Sequence, residues 1–399
     1  MSAVAPLNDP MRVLAHSIRE TAARPLAEAR ALPAAAYVSD AWFEQERLHL
    51  LQGAWQSVAH VSQIPSPGDY VNLELQGERI SVIRGEDGVV RVLSRVCAHR
   101  GMDVMPPESG HAEAGNCKHL QCPYHHWVYG LDGRLKGAPL MKTHAAITAG
   151  DLALKAFRSE VWQGFVFVTF DESASPVAEA FAGLMPHLER FAMHELEMVL
   201  DVSWDCPFNW KVLVENFMEP YHHLGAHHSI FQPIMPAQGC WTEPVQGDGV
   251  VCHLPLADEL QRKVKAGEPQ LLSFPVLPGM QPADFLEWTV FLGAPHFLLF
   301  TAPDRVYWYR IEALSAGRMR LHTTLMVDKS ARSVPGFEAT LAQEEDMLRR
   351  FHLEDMEVCG AVQVGLRSQA YQPGPLAELE APIWQFQRWI ARRLEAAGL

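Results

Sequence analysis

Residues 209–228, NWKVLVENFMEPYHHLGAHH, restrict the chain more than any other stretch of it. They gather Glu215, Glu219, His222 and His227 into one short segment. On a continuous helix, Glu215, Glu219 and His222 stand at i, i+4 and i+7 and share a face. His227 would lie about 140° further round. Gly225 offers a stop, after which the chain can turn and bring His227 back towards His222. Two imidazoles converging in this way, completed by a carboxylate from elsewhere, suit non-haem Fe(II) with open coordination positions. An amphipathic core helix with polar ends reads from the same letters, so the choice falls to the remainder of the chain.

A length of 399 residues leaves room for two or three domains with substantial cores. The composition, 48% hydrophobic and 20% charged, is that of a soluble globular protein. A formal net charge of −14 argues against nucleic acid or an anionic membrane as the main partner. Seven cysteines, an odd number, do not read as a disulfide framework. The first twenty residues lack an apolar signal core, and the most apolar run, 288–303, is broken by Gly, Pro and His. The expected location is therefore the cytoplasm.

Helical character is expected over residues 9–56, with Ser39 as an N-cap. Pro65, Pro67 and Gly68 mark a boundary, and beyond it the apolar period changes to two, as at Val71, Leu73 and Leu75, then Ile80 and Val82, then Val90 and Val92. Asp87-Gly88 and Asp132-Gly133 are hairpin-turn signals. Residues 57–160 thus read as a small all-β domain. Residues 176–193 read as helix and 196–204 as extended chain, whereas 236–280, rich in Gly and Pro, reads as irregular. Strands follow over 285–300 and 306–327, then a long helix over 336–364 and a last one over 383–397.

Inside the β-domain stand Cys97-Ala98-His99 and Cys122-Pro123-Tyr124-His125. Two thiolates and two imidazoles are the ligand set of a Rieske [2Fe–2S] centre, and a zinc site of two cysteines and two histidines draws on the same residues. The wording CAHRG and CPYHHW speaks for the cluster. Cys117-Lys118-His119 is a second Cys-x-His, but two residues between His119 and Cys122 are too few for two ligand loops. Cys206, Cys240, Cys252 and Cys359 read as buried thiols.

With both motifs present, the chain resembles the catalytic α subunits of Rieske non-haem iron oxygenases, the aromatic-ring-hydroxylating family. The resemblance runs through CAHRG, CPYHHW, VYGLDGRL, NWKVLVEN, EPYH-x4-H and HLEDMEVCGAVQVGLRS, and covers nearly the whole length. It implies an α+β architecture: an N-terminal helical segment (1–56) packed on the catalytic domain, a small all-β Rieske domain (57–160), and a catalytic domain (161–399) whose antiparallel sheet wraps a long helix. It implies that Cys97, His99, Cys122 and His125 hold the cluster and that His222, His227 and Asp355 hold a mononuclear Fe(II). Glu219 would occupy the acidic position linking one subunit's cluster to its neighbour's iron. Three departures stand out: His126 where Gly is usual, 22 residues between His99 and Cys122, and Glu at 219 where many members have Asp. His223, His228, Glu354 and Glu357 crowd the same neighbourhoods and are alternatives to the chosen ligands.

The resemblance implies an O2-dependent mono- or dioxygenase that hydroxylates or demethylates a small aromatic or apolar molecule. A quaternary-ammonium substrate of betaine or carnitine type is the alternative, because Glu219 resembles that branch and Trp241, Trp288 or Tyr307 and Tyr309 offer cation–π faces. Tyr307 and Tyr309 alternate onto one face, more often a mark of core packing than of a ligand cage. A plain Rieske electron carrier would not use His222, His227 and Asp355. No G-x-G-x-x-G dinucleotide fingerprint is visible, so NAD(P)H oxidation would fall to a separate reductase, with or without a ferredoxin. A homotrimer is expected, with a pocket lined from 232–241, 288–300 and 306–309.

Overall fold

The alternating pattern over residues 71–92 becomes strands. Asp69–Leu75, Glu78–Arg84 and Val90–Ser94 pair antiparallel and bury Ile80, Val82 and Val92 completely. Gly88, in the turn before the third strand, sits at φ +77, a left-handed conformation that glycine takes without strain. The computed structural model describes residues 9–399 except 142, 149 and 244–246, and it divides into two units.

The first unit is 52–177. Its seven-stranded sheet runs in the order Gln56–His60, Phe165–Thr169, Ala156–Trp162, Val90–Ser94, Glu78–Arg84, Asp69–Leu75, Ala114–Asn116. A three-stranded sheet, Leu120–Gln121, Val128–Tyr129 and Leu135–Gly137, stands beside it. Strand Ala156–Trp162 straddles the boundary expected at 160, and its pairing with Val90–Ser94 and Phe165–Thr169 carries the β unit on to 177.

The second unit comprises 1–51 and 178–399, of which residues 1–8 lie outside the described part. Helix Asp9–Ala22 packs on helix Ala381–Ala396, and Ser39 accepts a hydrogen bond from the Trp42 amide as the expected cap. Seven antiparallel strands form the sheet, in the order Leu196–Cys206, Arg318–Asp328, Arg305–Ser315, Phe297–Ala302, Glu287–Gly293, Gly249–Pro255, Trp241–Glu243. Helix Phe337–Leu366 lies against one face, with Leu348, Phe351, His352, Asp355 and Cys359 buried at i, i+3, i+4, i+7 and i+11. Among the described residues no helix is long and apolar enough to cross a membrane.

Two sequence expectations give way here. Residues 176–193 break into short helical turns, starting with Val177–Ala180. The 236–280 stretch is not wholly irregular: it contributes the edge strand Trp241–Glu243, the strand Gly249–Pro255 beside it, and helix Asp258–Lys265. These strands gain their hydrogen bonds from the sheet, so their flanking Gly and Pro residues hid them.

Candidate metal centres

In the 52–177 unit, two loops share one backbone pattern. The Cys97 amide donates to the Met102 carbonyl (2.8 Å), and the Gly101 amide donates back to the Cys97 carbonyl (3.0 Å). At the second loop, Cys122 N–H reaches the Trp127 carbonyl (2.9 Å), and His126 N–H reaches the Cys122 carbonyl (3.0 Å). His126 is therefore the counterpart of Gly101, and both have positive φ, +58 and +77. That is why a glycine suits position 126 and why a histidine there is strained. Cys117 joins neither loop and packs instead beside the cluster of buried side chains around Tyr70 and Leu120.

The loops bring like groups together. Cys97 and Cys122 are buried neighbours, and burial pushes the Cys122 thiol up, with Cys97 adding to the rise. His99 and His125 meet edge to face at 4.7 Å, and His99 stacks on Trp127 at 4.6 Å and 7°. The buried Nδ1 of His99 has no hydrogen-bond partner. Two neighbouring thiols, two imidazoles in contact and an orphaned, buried ring nitrogen fit a [2Fe–2S] rhomb with one iron held by two imidazoles. Sequence reading missed Tyr129. Its hydroxyl accepts from Ala98 N–H (3.1 Å) and lies 3.1 Å from Cys97 Sγ, to which it would donate once that sulfur is a metal-bound thiolate.

In the other unit, Asn209 starts helix Trp210–Met218 by accepting from Lys211 N–H (2.9 Å), while its amide donates to the Tyr37 and Ala316 carbonyls. The helix stops earlier than its spacing predicts. Glu219 is extended (φ −107, ψ +135) because Pro220 follows it. The shared face of Glu215, Glu219 and His222 therefore does not form. Glu215 instead accepts from the Tyr37 hydroxyl (2.7 Å), and burial raises its carboxyl pKa to about 7. His222 sits in a 3-10 turn, Tyr221–Leu224, and the following turns bring His227 to 4.9 Å from it, ring to ring.

His222, His227 and Asp355 then converge, with one donor atom from each within 4.8 Å of the others. His227 Nε2 lies 2.9 Å and His222 Nε2 3.8 Å from Asp355 Oδ1. Each imidazole is backed on its other nitrogen by a carboxylate: His222 Nδ1 by Glu219 (3.0 Å) and His227 Nδ1 by Glu354 (2.7 Å). Glu219 also accepts from the His222 amide (3.0 Å). Both Nε2 atoms thereby face Asp355, and each would present its lone pair once a metal ion replaces the proton between them, the donor set and backing that an Fe(II) facial triad needs. Burial works against the charge on Asp355, yet the hydrogen bond from His227 holds its carboxyl well below the usual range. Glu357 and His228 are exposed, and His223 turns away to the Met235 carbonyl (3.1 Å).

Residues 193–396 match the ring hydroxylating alpha subunit (catalytic domain), and residues 54–158 match the Rieske [2Fe-2S] domain. The chain belongs to the ring hydroxylating alpha subunits. This family's domain pair carries a Rieske cluster and a mononuclear Fe(II), with O2 as co-substrate. The chain is 35% identical over 202 residues to the carnitine monooxygenase oxygenase subunit of Escherichia coli (strain K12), covering 50% of this chain and 53% of that one. It is 34% identical over 259 residues to the large oxygenase component of the 2,4-dinitrotoluene dioxygenase system of Burkholderia sp. (strain RASC), covering 63% and 55%. The chain thus spans about half the length of these relatives. A solved quaternary ammonium Rieske monooxygenase superposes with a TM-score of 0.78 at 24% identity, over 98% of this chain and 100% of that one, a likeness of fold.

In this alpha subunit a narrow cleft, partly open to solvent, lies against the triad. Phe231, Phe300, Tyr309, Phe351, Leu254 and Val290 form its apolar wall, and Phe231 packs edge-on to His227 at 4.8 Å. Met235, Val290, Phe300 and Tyr309 fall within the three stretches expected to line it, whereas Trp241 and Trp288 do not line it. Trp241 lies outside the cleft, stacked on His253 at 4.0 Å and 5°, and the Arg305 guanidinium covers the Trp288 ring at 4.9 Å. Neither tryptophan is free to face a ligand cation in the cleft. No Lys or Arg lines the cleft among the described residues, and burial holds the His223 pKa at about 3.

Proposed function

We propose that this chain is the oxygenase component of an O2-dependent system acting on a small, apolar and largely aromatic substrate. Cys97 and Cys122 would hold one iron of the cluster and His99 and His125 the other, while His222, His227 and Asp355 would hold Fe(II). The observation that carries the reading is the pair of carboxylate-backed imidazoles aimed at Asp355 at the foot of an aromatic cleft. Together the two metal centres supply electrons, singly, and a coordination site at which O2 is reduced.

The chain's own residues do the positioning. Phe231, Phe300 and Phe351 offer ring faces and edges to a flat apolar substrate and keep water from its side of the triad. Neutral His223, with Nδ1–H committed to Met235, leaves Nε2 as an acceptor. Asn216 and Tyr309 add polar groups to the lining. Electrons would arrive from a separate NAD(P)H-dependent reductase. Glu219, already tied to His222, would in a homotrimer extend to a cluster imidazole of the neighbouring subunit. Slow cluster oxidation in single turnover by Glu219→Gln is the expected sign, and an unchanged rate overturns that link.

A second reading is favoured by the similarity to a carnitine monooxygenase subunit: the phenyl walls could receive a trimethylammonium group by cation–π attraction. It meets one obstacle, since the carboxylate of a betaine would find no Lys or Arg in the cleft. Substrate-stimulated O2 uptake by the reduced enzyme separates the two. Neutral aromatic compounds should stimulate uptake, and stimulation by carnitine or glycine betaine alone would overturn the apolar assignment.

A further inference from the structure

The sheet of the larger unit has a second face, and on it a different group of ligands gathers. Strand parity creates it. Leu254 and Val290 line the catalytic cleft, while their strand neighbours His253 and Thr289 pair in register and point the other way. Trp241 pairs with His253 across the adjacent edge strand, so Glu243, two residues on, returns to the same face. His187 comes to it from the short helix Met185–Leu188.

One donor atom each from His187, Glu243 and His253 lies within 4.8 Å of the others. Glu243 Oε2 is 3.1 Å from His253 Nε2 and 3.5 Å from His187 Nε2. A tetrahedral site with bonds near 2.0–2.1 Å has donor–donor edges of about 3.3 Å, so both separations are those of ligands around one ion. Behind His253, Glu287 Oε1 lies 2.8 Å from Nδ1, the backing that aims Nε2 inward and that also orients His222 and His227. His253 is buried and shielded on one ring face by Trp241, and His187 is mostly enclosed, edge-on to His253 at 6.0 Å.

We infer that His187, Glu243 and His253 form a further metal site for one divalent ion of the zinc type, with Glu287 orienting His253. Two imidazoles and a carboxylate with a fourth position open to water suit Zn2+ or Co2+ better than the oxygen-seeking Mg2+ or Ca2+. The ion would pin the edge strand Trp241–Glu243 and the helix Met185–Leu188 to Gly249–Pro255, the strand whose opposite side supplies Leu254 to the cleft. Without an ion, the same atoms make a plain salt-bridge cluster in which protonated His253 sits between two carboxylates.

The test uses the iron-loaded enzyme and Zn2+ alone as the probe. Calorimetric titration with elemental analysis should find one zinc per chain above the iron content, and zinc should raise the Tm. His187→Ala and Glu243→Gln should each weaken that zinc at least tenfold while iron content and the visible spectrum stay those of the wild type. His187→Ala alters a short, partly exposed turn, so it tests the site even if a change at His253 prevents folding. Asp355→Ala should keep the extra zinc. No zinc beyond the irons, or equal zinc in wild type and both variants, overturns the site in favour of the salt-bridge cluster. Loss of zinc in Asp355→Ala alone overturns it as well, by placing the metal in the catalytic centre.

Discussion

The two proposed iron-binding regions orient their imidazoles by different means. At the triad, carboxylates do it: Glu219 holds His222, and Glu354 holds His227. At the cluster loops no carboxylate of the described residues backs His99 or His125. Ring stacking on Trp127 and the edge contact between the two imidazoles set their planes. The difference lies in what each site leaves free. Hydrogen-bond backing raises the basicity of a ligand and uses up its second nitrogen. Stacking fixes the ring but leaves that nitrogen available, and His125 is exposed. Both imidazoles of the triad are thus backed by carboxylates, whereas His125 keeps an exposed ring that no carboxylate of the described residues backs.

The largest expected effect tests whether the two sites are separate. Asp355→Ala should lose about one iron in three and all turnover, since one of three ligands is gone. The visible and EPR signatures of the cluster should persist. Cys97→Ser should lose the cluster signatures and, with its electrons, turnover, while the mononuclear iron stays; joint loss of both centres in either variant would break the comparison. Next comes the backing itself. Glu354→Gln should weaken Fe(II) about 10–100-fold, because His227 loses its charged partner, with iron titration as the measure. A smaller change is expected for Tyr129→Phe, which deletes the proton aimed at Cys97 sulfur. The cluster potential should fall while iron content stays constant, as direct electrochemistry would show. The smallest concerns the loop that replaces Gly with His126. His126→Val should cost about 1–2 kcal/mol, since a β-branched residue resists positive φ, and His126→Gly should be close to neutral in thermal unfolding.

Much of this architecture is legible in the amino-acid order. The strands of the 69–94 region, the long helix and the antiparallel sheet follow from period and turn residues. Asp355 is preferred to Glu354 and Glu357 in the sequence only through the resemblance of EDMEVCGAVQVGL to the family, and in the structure it falls on the buried stripe through Leu348, Phe351 and His352. The helix through Glu219 is misread because spacing alone ignores the residue before a proline. Trp241 is misplaced into the cleft because its strand goes unrecognised, and without a strand there is no parity to say which way a side chain points. Glu354 and Tyr129 act by touching ligands far away in the chain, at 127 and 32 residues, and no local pattern reports such pairs.

The separation between His227 and Asp355 has a consequence for how the protein is made. The pair is 128 residues apart, whereas the whole set Cys97 to His125 lies within a single stretch of the β unit. A nascent chain can present all four cluster donors long before the helix that carries Asp355 has been synthesised. Until Phe337–Leu366 docks on the sheet, the second centre offers only His222 and His227, a pair too weak to retain Fe(II). The four proposed cluster donors thus leave the ribosome before the last donor of the proposed mononuclear centre, which is completed only when the helix Phe337–Leu366 is in place.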